Sequence, residues 1–183
     1  MTPPHAALVF GSVMAVLTTC LQAQEAATTG LAHTRTEFKF IANAPLEEAA
    51  PLFGAYEERK WAPDWNPLFL YPEPAHDRQG MVFQVNHEQH SSTWVNTAFD
   101  LAAGHIQYSY VLNDAMVTLI DIHLAREGAQ KTSVTVVYER TALIPQANDH
   151  VQHFAARDKE AGKEWEEEIN LYFAKLRGQP GQK

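Results

Sequence analysis

The chain has 183 residues, 45% of them hydrophobic and 20% charged, with ten prolines and nine glycines, which is the composition of a single globular domain large enough to bury a real core. A formal charge of −8, with no cluster of Lys or Arg, excludes nucleic acid as a partner, because that needs a basic face. Cys20 is the only cysteine, so no internal disulfide can form.

The first 23 residues carry no Lys, Arg, Asp or Glu, and Ala6 to Leu17 form an apolar run the length of a secretory signal core, too short to span a bilayer as a mature helix. Leu21-Gln22-Ala23 supplies a cleavage site. The pattern predicts a signal peptide over 1–23, a flexible linker over 24–33, and an exported product, periplasmic or secreted, without a transmembrane helix in its mature form. Its n-region departs from the usual pattern in having no basic residue. A buried N-terminal helix is the alternative, but Pro3-Pro4 before the run and the loose stretch after it suit export better. Leu17-Thr18-Thr19-Cys20 resembles a lipoprotein box with Thr19 where Gly or Ala is usual, which ranks lipidation at Cys20 behind simple cleavage.

Thr34 to Ala42 alternates, with Phe38 and Phe40 on one face and Arg35, Glu37 and Lys39 on the other, as a half-buried strand does. Asn43 to Pro45 then opens a helix whose apolar face is Leu46, Ala49, Leu52, Phe53 and Tyr56. Pro51 and Gly54 interrupt it, which predicts two short helices or one broken one. The Trp61 to Pro67 segment, dense in aromatic and proline residues, leads into a short second strand, Leu68 to Tyr71. Gly80 begins a third, with Met81, Phe83 and Val85 on one face, and His87 to Ser92 is its turn. The fourth, Thr93 to Asp100, has no clean parity, and its facing stays open.

The next three strands carry their apolar residues at even positions: Ile106, Tyr108 and Tyr110, then Met116 to Ile122, then Val134 to Tyr138. An even-to-even match across an antiparallel pair needs an odd-length loop, and Asn113-Asp114-Ala115 provides one. This pairs Tyr108 with Ile120 and Ile106 with Ile122. Carried through the loop around Gly128, it pairs Ile122 with Val134 and Ile120 with Val136. Finally, Val151, Phe154, Ala161, Trp165, Ile169, Tyr172 and Leu176 recur at helical spacing across Ala147 to Leu176, so a long amphipathic helix lays its stripe over the sheet. Ala161-Gly162 thins that stripe, and an open space beneath the helix is expected there. A disordered tail is expected over 177–183.

Together these elements give an α+β fold: a curved antiparallel sheet of about seven strands, two short helices after the first strand, and a long C-terminal helix across the sheet. That order, carried by Phe38-Lys39-Phe40 with Ala44-Pro45, Trp61, Trp65 and Pro67, Gly80 with Phe83, Thr93-Trp94, Tyr138 with Thr141 to Leu143, and Trp165, Ile169 and Tyr172, resembles the START-like helix-grip superfamily, also called SRPBCC. The resemblance covers about Thr34 to Leu176 and looks like an uncharacterised bacterial branch. It implies a deep apolar cavity between the sheet and the last helix, in a superfamily that includes lipid and sterol carriers, aromatic polyketide cyclases and ligand sensors.

The expected ligand-binding residues are the inward-facing set. The sheet contributes Phe83, Tyr108, Tyr110, Thr118, Ile120, Val136 and Tyr138, together with Trp94 from the strand of open facing. The helix contributes Phe154, Ala161 and Trp165. The expected partner is a small apolar or amphipathic molecule; the sequence asks for no cofactor and carries no signal for an oligomeric state. Arg140 has inward parity, but its place near the strand end lets its head reach water.

Metal is not expected. His87-Glu-Gln-His90 lacks the spacing of HExxH, and His150 with His153 has no third ligand nearby in sequence. Asp121, His123 and Glu139 fall on the outer sheet face and read as solvated charge, as do Glu164 and Glu166 to Glu168 on the helix. No catalytic residue is assigned: among the inward-facing or equivalent positions only His87, at the rim, has a suitable ordinary pKa, and an enzyme of cyclase or dehydratase type would use the cavity tyrosines. Binding without turnover is the first reading, with such an enzyme and an interaction domain of collapsed cavity as alternatives.

Overall fold

The structure, a computed structural model, describes residues 30–87 and 90–178. The expected signal peptide, Cys20 and the N-terminal part of the linker lie outside the described residues. Seven strands form one sheet: β1 (His33–Ala42), β2 (Leu68–Tyr71), β3 (Val82–His87), β4 (His90–Asp100), β5 (His105–Leu112), β6 (Met116–Arg126) and β7 (Thr132–Ala142). Every pairing is antiparallel, in the spatial order β1-β7-β6-β5-β4-β3-β2. A one-turn helix, α1 (Leu46–Ala49), runs straight into a 3-10 turn at Ala50–Phe53, and a second 3-10 turn follows at Glu57–Lys60. The long helix α2 spans Asn148–Gly178, so Arg177 and Gly178, expected in the tail, are helical, and His33, expected in the linker, opens β1. This is the helix-grip architecture. The residues from Ala32 on form one compact unit.

The even-position pattern places one face of β5, β6 and β7 in the core, where Ile106, Tyr108, Ile120, Ile122, Val134, Val136 and Tyr138 are buried. Tyr108 faces Ile120 and Ile106 faces Ile122 across a turn in which Asn113 and Asp114 both take positive φ. The β6–β7 register differs from the expected one by two residues: Ile120 opposes Tyr138 and Ile122 opposes Val136. A shift of two preserves facing, so the hydrophobic pattern could not detect it. In β4 the ambiguous parity has a physical cause, a register shift between Asn96 and Ala98. Before it Ser92, Trp94 and Asn96 face inward; after it Phe99, opposite Ile106, packs on the core. β4 also begins earlier than expected, at His90, which pairs with His87.

α2 rests on β1 and β7, at one side of the sheet. Its flank satisfies the free edge of β1: Asn170 Nδ2 donates to Ile41 O (2.8 Å), Asn43 N donates to Asn170 Oδ1 (2.7 Å), and Ile41 N donates to Glu166 Oε1 (3.2 Å). Glu166, expected on the outer side, is thus a structural contact. The buried stripe is Val151, Asp158, Gly162, Ile169 and Phe173, whereas Leu176 is 52% exposed. Relative to the expected face the helix is turned by about one position, because the stripe accommodates a buried carboxylate and a glycine that hydrophobicity does not mark.

Candidate functional site: an aromatic cavity with one carboxyl

Because α2 sits over β1 and β7, the faces of β3 to β6 are covered instead by the segment from Phe53 to Trp65. Six hydrogen bonds pin that segment. The Tyr108 hydroxyl donates to Phe53 O (3.0 Å) and accepts from Ala55 N (2.9 Å). Trp61 Nε1 donates to Leu52 O (2.7 Å) and Trp65 Nε1 to Ala55 O (2.8 Å). Asp77 accepts from Tyr56 N through Oδ1 (2.7 Å), and also through Oδ2 from Glu57 N (3.0 Å), capping the second 3-10 turn. Gly54 makes this approach possible, since a Cβ there would stand 2.3 Å from the Asp77 carboxyl.

The pinned turn aims Glu58 inward. Its backbone continues the turn, with Glu58 N donating to Gly54 O (2.8 Å) and Ala62 N to Glu58 O (2.9 Å). Its side chain lines a cavity of about 190 Å³ together with Trp65, Phe83, Trp94, Tyr108, Ile120, Ile122, Tyr138 and Trp165. No hydrogen bond or ion pair reaches the Glu58 carboxyl among the described residues. Burial, and secondarily the neighbouring Asp77 carboxylate, push that carboxyl up to about 8. Burial likewise raises Asp77 and holds the Tyr108 and Tyr138 phenols well above the ordinary tyrosine value.

A second space of about 240 Å³ opens beside α2, lined by Tyr110, Phe154, Arg157, Glu160, Ala161 and Glu164, among others. Trp94, Ile120 and Tyr138 are walls of both spaces. Tyr110 stacks on Trp94 at 4.1 Å between centroids. At the floor of this cleft Arg140 forms a bidentate pair with Asp158, 2.6 and 2.9 Å, with the Thr36 hydroxyl donating to the same carboxylate. Arg140 is 4% exposed, so its head does not reach water as expected from sequence; the acidic partner from α2 holds it inside.

Of the residues expected to bind a ligand, Phe83, Tyr108 and Trp165 line the inner cavity, Tyr110, Phe154 and Ala161 line the cleft, and Trp94, Ile120 and Tyr138 line both. Thr118 and Val136 are fully buried in the sheet and line neither. The open space expected under Ala161-Gly162 is present only on the Ala161 side. A Cβ on Gly162 would lie 2.6 Å from the Phe38 ring, so Gly162 is a close contact of helix on strand.

Sequence reasoning missed Glu58 entirely. The signal was spacing: Glu58, Trp61 and Trp65 fall at i, i+3 and i+7, one face of a helical turn, inside a run that reads as plain surface charge.

On the outer face the residues expected to be solvated charge are organised. His105 Nε2 donates to Asp121 Oδ1 (2.7 Å), His123 Nε2 to Asp121 Oδ2 (3.0 Å), and the two rings stack at 4.8 Å. Partial burial raises the Asp121 carboxyl, but the hydrogen bonds from His105, His123 and Gln107 outweigh it and leave it below its ordinary value. The three ligand atoms lie within 4.8 Å of one another, close enough to hold a metal ion, yet the imidazoles are already partnered by the carboxylate.

No family model and no curated protein sequence matches the chain. Solved structures of START-like proteins share its fold. Norcoclaurine synthase from Thalictrum flavum, in complex with dopamine and hydroxybenzaldehyde, superposes with a TM-score of 0.60 at 10% identity, over 98% of this chain and 100% of that one. The ZhuI aromatase/cyclase from Streptomyces sp. R1128 gives 0.58 at 12% identity, over 82% and 99%. An uncharacterised protein from Rhizobium leguminosarum gives 0.56 at 13%, over 80% and 97%. At such identities the likeness is one of fold.

Proposed function

We propose that the protein binds a small apolar or amphipathic molecule in the space enclosed by the sheet, the segment from Phe53 to Trp65 and Trp165 of α2. The observation that carries the reading is the inner cavity of about 190 Å³, walled mainly by aromatic rings and holding a single carboxyl without a partner. An engineered apolar cavity of about 150 Å³ stays dry and takes up benzene, so a space of this size suits a molecule of one ring with a short substituent. The neighbours with named activities handle aromatic compounds in the same architecture. Native mass spectrometry of protein purified from its own host tests the reading. A retained small molecule is expected, and protein that is empty even when single-ring compounds are supplied in millimolar excess would contradict it.

A second reading, proton-transfer catalysis, draws support from Glu58 and not from the tyrosines. A carboxyl raised to about 8 can give and take a proton near neutral pH. Tyr108 has its hydroxyl committed to the Phe53–Ala55 backbone. If turnover exists, Glu58→Gln should slow it by about 10² or more while a bound substrate is retained.

The uncharged apolar N-terminus supports action outside the cytoplasm, and among the described residues no helix is long and apolar enough to cross a membrane. An intact mass lacking the first 20-odd residues in a periplasmic or secreted fraction is expected; a cytoplasmic product retaining them would contradict export.

A further inference from the structure

We propose that the inner cavity takes a small aromatic amine, with its protonated nitrogen on the Glu58 carboxylate and its ring against the aromatic walls; this rests on the binding reading above and names the class of ligand. Three ligand chemistries compete for such a space, and the lining decides among them. A wholly apolar molecule would fill the volume but leave the carboxyl without a hydrogen bond, which is costly in a buried site. An anion would meet Glu58 and, behind it, Asp77, with no Lys, Arg or His among the residues lining the inner cavity. A cation gains from every wall. It satisfies the carboxylate with a charge-assisted hydrogen bond, and three indoles, Trp65, Trp94 and Trp165, the side-chain type that attracts cations most strongly, line the space.

The groups facing Glu58 favour the same answer. Asp77, from the connection between β2 and β3, has a carboxylate that disfavours a second negative charge and favours a positive one, while Tyr108 from β5 and Tyr138 from β7 stay neutral. α2 sends Trp165 into the cavity and no charge. Arg59, next in the chain, turns away and lies over the Tyr56 ring at 3.9 Å, so it does not neutralise Glu58. Volume limits the molecule to about one ring and a short chain.

A consequence separates this ligand from a neutral one. The empty carboxyl, raised to about 8, is mostly protonated at pH 7. Pairing it with an ammonium requires the carboxylate, so binding expels most of a proton per ligand at pH 7 and progressively less as pH rises past about 8. A hydrogen-bond acceptor such as an alcohol would bind the protonated form and expel nothing.

The experiment is calorimetric titration with 2-phenylethylamine, 2-phenylethanol and 3-phenylpropanoate, in two buffers of different ionisation enthalpy, for wild type and Glu58→Gln. The expected result is that the amine binds at least about tenfold more tightly than the alcohol, releases close to one proton at pH 7, and falls to the level of the alcohol in Glu58→Gln, while the alcohol is unchanged and the acid does not bind. Proton release is read on wild-type protein, so it stands whether or not the variant folds. An alcohol that binds as tightly as the amine, or amine binding without proton release, would overturn the amine assignment and leave the binding reading intact. Failure of all three probes to bind at millimolar concentration would overturn both.

Discussion

The Arg140 guanidinium meets the Asp158 carboxylate in two hydrogen bonds of 2.6 and 2.9 Å, joining β7 to the middle of α2, and the two residues are only 4% and 5% exposed. The guanidinium also lies over the Tyr138 ring at 4.3 Å, so the pair sets the floor of the cleft and one wall of the cavity together. Burying both charges is expensive, and the pair is worth little against an apolar replacement; removing one partner strands the other. Asp158→Ala should therefore cost about 3 to 5 kcal/mol in urea denaturation, while Arg140→Met combined with Asp158→Leu should cost much less. Equal losses in the single and double variants would mean that packing, and not the stranded charge, dominates.

Glu58 predicts an unusual dependence of stability on pH. Its carboxyl is raised in the folded state from an ordinary 4.5 to about 8, so between those values the folded protein binds the proton and the unfolded chain does not. The contribution of this group to stability thus falls as pH rises from about 4.5 and levels off above about 8. Glu58→Gln should flatten that decline: its melting temperature should match wild type near pH 4.5 and exceed it at pH 9. A variant less stable than wild type at pH 9 would contradict an unpartnered carboxyl desolvated by the cavity walls.

How far the sequence carried is clear from these residues. Strand facing was legible because burial of one face imposes a period of two, and the β5–β6 pairing followed from the odd loop Asn113 to Ala115. Nothing in that pattern could place Asp158 or Glu58, because a buried charge looks in sequence like an exposed one; only the partner, or the turn that aims it, distinguishes the two. Arg140 was read as reaching water for the same reason. The aromatic walls were legible as hydrophobic residues, but the split into an inner cavity and an outer cleft depends on where α2 lies, over β1 and β7.

Adjacent helix positions should respond in opposite ways to added bulk. Ala161 borders the cleft, so Ala161→Phe should change stability by less than about 1 kcal/mol while narrowing the opening. Gly162→Ala gains about 1 kcal/mol of helix propensity but drives a Cβ to 2.6 Å from Phe38, whose ring is held by Phe40, Tyr138 and Trp165. Overpacking of about 1 to 3 kcal/mol should win, leaving Gly162→Ala net destabilised. Thermal melts of the two variants decide this, and a stabilised Gly162→Ala would show that the Phe38 contact is loose.

The cavity tyrosines should likewise differ. Tyr108→Phe strands the Phe53 carbonyl and the Ala55 amide and should cost about 2 to 4 kcal/mol in stability, loosening the turn that carries Glu58. Tyr138→Phe removes a hydroxyl without a hydrogen bond among the described residues and should cost under about 1 kcal/mol. Equal costs in chemical denaturation would show that Tyr108 does not pin the segment.

The central claim is that a small ligand occupies the space between Glu58 and the aromatic walls, and a crystal structure of the protein grown with 2-phenylethylamine tests it most directly. The account predicts density for the ring among Trp65, Phe83, Tyr108 and Trp165, with the nitrogen about 2.7 to 3.2 Å from the Glu58 carboxyl. A cavity closed by the side chains that line it, or a Glu58 carboxylate turned out to solvent with the amine elsewhere on the surface, would contradict it.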